Sequence, residues 1–111
     1  SILQSNPDIT GIVCGNDTMA VGAAEACAAA GRSDIKIIGV DGSDEAAAQI
    51  KAGKMTGTAL QQFALMAEMA VTQADGYLKN GTTGLDEKQL VDCIAITADN
   101  VDKLSAFVYT E

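Results

Sequence analysis

Three short apolar runs, each closed by a polar turn and followed by a helical stretch, decide what this chain can fold into. Ile9 to Cys14 ends at Gly15, Ile35-Lys36-Ile37-Ile38-Gly39-Val40 stops at Asp41-Gly42-Ser43, and Met55 to Leu60, less apolar than the others, stops at Gln61-Gln62. Runs this short and this apolar are strands buried in a sheet, and between them the period of the apolar residues changes. After Asp17-Thr18, the residues Met19, Ala20, Val21, Ala24, Cys27 and Ala28 recur at spacings of three and four, one helix face that Gly31 ends. Asp44 and Glu45 open a second helix, where they complement its dipole, and it runs to about Ala52 and Gly53. Alternating strands and helices specify parallel βαβ units, and near-continuous apolar strands predict a sheet covered on both faces. The expected fold class is α/β: a three-layer sandwich with a mainly parallel sheet.

The rest of the chain adds four elements. Ile2 to Pro7 reads as the last turns of a helix stopped before a proline. Phe63, Met66, Ala67, Ala70, Val71, Ala74, Tyr77 and Leu78 form the stripe of a long amphipathic helix that Asn80-Gly81 closes. Leu90 to Thr97 reads as a fourth strand interrupted by Asp92. A last helix is expected from Asp99 as N-cap, burying Val101, Leu104, Phe107 and Val108.

Composition removes several function classes. At 111 residues, 48% hydrophobic and 20% charged, the chain has the size and apolar content of one folded domain. Lys and Arg number 7 against 15 Asp and Glu, for a net charge of −8, and no basic cluster offers a track for phosphates, so nucleic acid is not an expected partner. No apolar run approaches the ~20 residues of a membrane span, and no basic start leads into an apolar core like that of a signal peptide; direct membrane insertion is not expected. The absence of His removes most nucleophilic triads and the usual general base. Cys14, Cys27 and Cys93 are too far apart for a close-ligand zinc site and fit buried small hydrophobes better than a disulfide framework. Neither the dinucleotide glycine fingerprint nor the P-loop lysine pattern is present. No cofactor and no metal are expected, and an enzyme is the class these residues support least.

In a parallel α/β sheet, ligands bind beyond the carboxyl ends of the strands, where loops and helix N-termini converge. That places Gly15-Asn16-Asp17, Asp41-Gly42-Ser43 and Gln61-Gln62 on one rim. Asn16, Asp41 and Gln61 together offer a carboxylate that accepts and amides that both donate and accept, the mixture that suits a ligand dense in hydroxyls. Each also has a plainer reading: Asn16, Asp17 and Asp41 as caps or turn formers, Gln61 as a solvated helix start. Met19, Met66 and Met69 read as packing or surface residues of their helices.

Several segments resemble a known family in the correct order. Asn6-Pro7-Asp8-Ile9-Thr10-Gly11-Ile12 leading to Gly15-Asn16-Asp17-Thr18-Met19-Ala20-Val21-Gly22-Ala23 resembles a strand and helix of ribose-type periplasmic binding proteins. Ile37 to Ser43, Ile50 to Gln61 and Ala95 to Val101 resemble the family's next strand and loop, its approach to the hinge, and its terminus. The resemblance implies a two-lobed receptor that closes on a monosaccharide or polyol and delivers it to the permease of an ABC-type importer, at the periplasmic or extracellular face of a bacterial membrane. It implies ligand contacts at Asn16, Asp41 and Gln61. It also implies that residues 1–61 and 93–111 belong to the second lobe and 62–92 to the first. The family's earlier segments, with their aromatic and Arg contacts, have no counterpart here, so impaired sugar binding and self-association of the chain are expected. Lactose-repressor-type regulators and quorum-signal receptors share this scaffold and stay open as alternatives.

Overall fold

The computed structural model describes residues 1–111. In chain order it contains α1 (Ile2–Ser5), β1 (Gly11–Val13), α2 (Asp17–Ala29), β2 (Lys36–Asp41), α3 (Asp44–Lys51), β3 (Gly57–Leu60), α4 (Phe63–Asn80), β4 (Ile94–Thr97), a 3₁₀ turn (Val101–Lys103), β5 (Leu104–Ser105) and β6 (Val108–Tyr109). The main sheet has the order β1-β2-β3-β4, with β1, β2 and β3 parallel to one another. This is an α/β fold with a mainly parallel sheet, as the alternation of periods requires.

Register sorts the strand residues by face. Gly39, Thr58 and Ile96 stand in one row, and Asp41, Leu60 and Ile94 in the next. This face, with Ile37, lies under α2 and α3, and the core is made of its side chains together with Ala20, Ala24, Ala46, Ala47 and Ile50. Alanine on the inner helix faces lets the helices lie close to the sheet. Gly39 extends that approach: a Cβ there would collide with the Asp17 carboxylate and stand 3.0 Å from the Ala20 Cβ. Each fully buried Ile or Leu on this face contributes roughly 1.5–3 kcal/mol. The other face carries Val13, which is 81% exposed, and Ile38, also exposed, so within this chain the helices cover one side of the sheet, and the expected cover on both faces, with its three layers, is corrected to two.

Three further expectations are corrected. The fourth strand is shorter than Leu90 to Thr97, and it runs antiparallel to β3. The reason lies in α4, which buries no residue and so is not a crossover packed on the sheet. The chain leaves the sheet after Leu60, folds the 82–91 segment back along α4 through paired Gln73–Gln89 side-chain hydrogen bonds of 2.9 and 2.8 Å, and re-enters beside its point of exit. Cys93 sits in that re-entry and is exposed, not buried; Cys27 is buried and Cys14 half-buried. The final helix is absent. Its place is taken by the 3₁₀ turn and an antiparallel β5–β6 hairpin. Val101 and Leu104 are buried as expected, but Phe107 and Val108 are 39% and 49% exposed. The apolar spacing of three suited a helix, yet Val108 and Tyr109 are extended, and the tip between the two short strands is held by contacts with Asp44 and Phe63, far away in sequence. Asp99 caps nothing; Asn100 instead closes the turn, its Oδ1 accepting the Thr97 amide at 2.8 Å.

The radius of gyration is 17.9 Å, against about 13 Å for a compact domain of this length. The excess comes from α4, which projects from the sheet as an arm.

Candidate functional site

Because β1, β2 and β3 are parallel, the loops that follow them open on the same rim. Asn16 caps α2 in extended conformation, its Oδ1 accepting the Met19 amide at 2.9 Å. The plain reading and the functional one coexist here: the cap uses the carbonyl, while Nδ2 makes no hydrogen bond within the chain and remains a donor.

Asp41 and Gln61 meet directly. Gln61 Nε2 donates to Asp41 Oδ1 at 2.7 Å, and the Gln61 amide donates to the Asp41 carbonyl at 3.2 Å. Gln61 is thus half-buried and fixed, not a solvated helix start; the N-cap of α4 is Gln62. Asp41 has φ 124°, a conformation that favours glycine, and it persists because the following turn is held from below. The pair leaves Asp41 Oδ2 and Gln61 Oε1 as acceptors, with the Asn16 amide as donor on the adjoining loop.

The residue holding that turn is Asp17, which the sequence suggested only as a cap or turn former. It is 2% exposed. Its Oδ2 accepts the Gly42 and Ser43 amides at 2.9 and 2.7 Å, and its Oδ1 accepts the Thr58 hydroxyl at 2.6 Å. One carboxylate therefore ties α2, the β2–α3 turn and β3 together immediately beneath the rim. Charge-assisted bonds from two backbone amides just ahead of α3 offset the cost of burying it. Gly42, at φ 84° and so close to Leu60 that a Cβ would clash, completes the turn. The signal that would have found Asp17 was the glycine at position 39 inside an otherwise β-branched strand, which marks a close approach by something polar or bulky.

Cys14 also borders this rim, and burial pushes its thiol pKa up, away from nucleophilic character. A concavity of about 700 Å³ lies elsewhere, against the C-terminal half of α2, with Leu3, Ile12, Ala26 and Cys27 in its walls. The rim itself is an open surface of half-buried polar groups, suited to holding a ligand against a second surface.

Residues 1–83 match the family described as periplasmic binding protein domain. The chain belongs to this family. This periplasmic binding protein chain is 52% identical over 108 residues to a D-apiose import binding protein of Actinobacillus succinogenes, covering 96% of this chain and 35% of that protein. It is 50% identical to a D-apiose import binding protein of Paraburkholderia graminis, covering 96% and 34%. Among solved structures, the Caulobacter myo-inositol binding protein bound to myo-inositol superposes with a TM-score of 0.79 at 38% identity, covering 96% of this chain and 36% of that one. The chain thus spans about a third of the length of these relatives, and the fold is that of sugar-type periplasmic binding proteins.

Proposed function

We propose that this chain forms part of the solute-binding component of an ABC-type importer, and that Asn16, Asp41 and Gln61 hold a neutral monosaccharide or polyol. The observation that carries the reading is the Gln61–Asp41 hydrogen bond at a strained strand end, which keeps a carboxylate oxygen poised to accept from hydroxyls. Hydroxyl recognition by such a set needs no nucleophile and no cofactor, so the role is binding, not catalysis. The names of the relatives favour import over the regulator and quorum-receptor alternatives, and make D-apiose the first ligand to test.

In this reading residues 1–61 and 93–111 belong to one lobe, and 62–92 form an arm that enters the other. A permease is the downstream partner, and the site of action is the periplasmic or extracellular face of the membrane. The rim alone offers one wall of a cleft, so the isolated chain binds sugar weakly or not at all. The exposed apolar residues of α4, Leu65, Val71 and Leu78 among them, support self-association of the isolated chain.

Calorimetry of a full-length receptor containing this chain, against D-apiose, other neutral sugars and polyols, tests the assignment. Heat is expected with at least one of them, and a lower affinity for it in Asp41→Asn. Silence toward all of them, or unchanged affinity in Asp41→Asn, would refute it.

A further inference from the structure

The C-terminal hairpin holds a conformation that its own residues disfavour. Ala106 and Phe107 form its two-residue turn with φ of 49° and 62°. Turns with positive φ at both positions favour Asn-Gly, because the Cβ of any other L-residue is crowded there. Such strain persists only where the surroundings over-determine it. Here the surroundings are two loops of the rim. The Ala106 amide donates to Asp44 Oδ1 at 2.9 Å, three residues beyond Asp41. The Phe107 ring stands edge-on to Phe63, with centroids 5.5 Å apart and planes at 79°, two residues beyond Gln61. The base of the hairpin is fixed by Leu104, which is buried in the core.

Phe63 is the first residue of α4, and α4 buries nothing along its length, so the angle at which the arm leaves the sheet is decided at its root. Gln62 Nε2 donates to the Asp92 carbonyl there at 2.7 Å, tying exit to re-entry, and Phe63 rests on Phe107, beside a groove that Leu65 of α4 shares with Val108 and Tyr109. The first joins two segments that swing together. The second joins the arm to the sheet body, through a hairpin also bonded to the β2–α3 turn.

We propose that the Ala106-Phe107 tip is a clasp that fixes the angle between α4 and the sheet, with Phe107 as its positioning residue. Aromatic edge-to-face contact is directional, so it selects an angle where an aliphatic contact would tolerate a range. The strained turn aims the ring, and the Asp44 bond keeps the turn in register with the loop that carries Asp41. The role as a hinge clasp rests on the reading of α4 as the arm entering a second lobe; the geometry of the clasp itself does not involve sugar.

Donor and acceptor dyes placed through non-natural side chains at Ala48 on α3 and Thr72 on α4, both exposed, leave the native cysteines untouched. Time-resolved energy transfer in excess unlabelled chain, without sugar, then reads the arm-to-sheet distance distribution. A single narrow distribution is expected in the parent chain and in Val13→Ala, whose side chain is exposed on β1 away from the arm. In Phe107→Ala and Phe63→Ala it broadens, while the thermal unfolding midpoint of the sheet body stays near that of Val13→Ala. A merely structural role would lower the midpoint and leave the distribution of the folded fraction narrow, and that result overturns the clasp. Should Phe107→Ala not fold, Phe107→Leu keeps the bulk and loses the ring edge; broadening supports the clasp and an unchanged width overturns it. A full-length receptor silent toward every neutral polyol would defeat the sugar assignment and leave this measurement standing.

Discussion

Asp41 and Asp17 divide the work of one turn. Asp41 faces outward with an unused oxygen, and Asp17 beneath it has every oxygen engaged by Gly42, Ser43 and Thr58. Their substitutions should therefore separate. Asp41→Asn keeps the shape and a residue tolerant of positive φ, but replaces a charged acceptor; sugar affinity of a full-length receptor should fall by roughly 10- to 100-fold, the worth of one charged hydrogen bond, with little change in urea midpoint. Asp17→Ala leaves two amides and a hydroxyl without partners in a buried place. It should cost about 3–5 kcal/mol in urea unfolding, with binding lost only as the fold is lost. Far from the rim, Arg32 Nε and Nη2 donate to the Asp34 carboxylate at 2.9 and 3.0 Å, and Nη1 and Nη2 donate to the Pro7 and Ile9 carbonyls. That hydrogen bonding holds the Asp34 carboxyl below the ordinary carboxylate range. A depressed folded value gives stability that is present above the unfolded pKa and lost as pH falls through the folded one. The thermal midpoint of Asp34→Asn should accordingly lie closer to that of the parent chain in acid, near about pH 3, than at about pH 6. An equal gap at both pH values would show that the charge of Asp34 contributes nothing.

At the scale of elements, what the sequence discloses depends on whether the deciding contact is local. β1, β2, α2 and α3 were legible because their period and caps lie within a few residues of one another: Asn16 and Ser43 each cap the helix that follows, the Ser43 hydroxyl accepting the Ala46 amide at 3.1 Å. Ser43→Ala should cost about 1 kcal/mol by chemical denaturation, the usual worth of a cap, because its backbone bond to Asp17 survives the change. That the loops carrying Asn16, Asp41 and Gln61 lie on one rim was legible for a related reason, since parallel strands oblige their following loops to open on the same side. The direction of β4 was not legible. It depends on whether α4 packs on the sheet, and an amphipathic stripe says only that a helix has an apolar face, not what covers it. The C-terminal hairpin was missed because Val101, Leu104 and Phe107 suit a helical period, while the choice of extended backbone is made by long-range partners, Asp44 and Phe63. Asp17 was undervalued for the same cause: its partners at Gly42, Ser43 and Thr58 lie 25 to 41 residues away.

As a whole, the molecule is a sheet body with one helical arm, 59 Å in its longest dimension and 16 Å in its shortest. Two opposed forces govern how such a shape behaves in solution. The arm and the open sheet face expose Val13, Ile38, Val71 and Leu78, and this apolar surface favours association of one chain with another. The net charge of −8 opposes it, because bringing two such chains together concentrates like charge. Salt weakens the second force and not the first: the screening length falls from about 30 Å at 0.01 M to about 8 Å at 0.15 M. Light scattering coupled to size exclusion should then show monomer favoured at low ionic strength and a growing share of dimer as salt is raised at fixed concentration. Association through ion pairs would respond in the opposite sense, dissociating as salt is added. Leu78→Lys on the exposed face of α4 should suppress the salt-induced dimer while leaving the thermal midpoint of the monomer unchanged, since that side chain is 84% exposed and supports nothing in the core. Dimer that persists in Leu78→Lys would move the contact away from that part of the arm and onto the uncovered face of the sheet, where Val13→Lys makes the corresponding test.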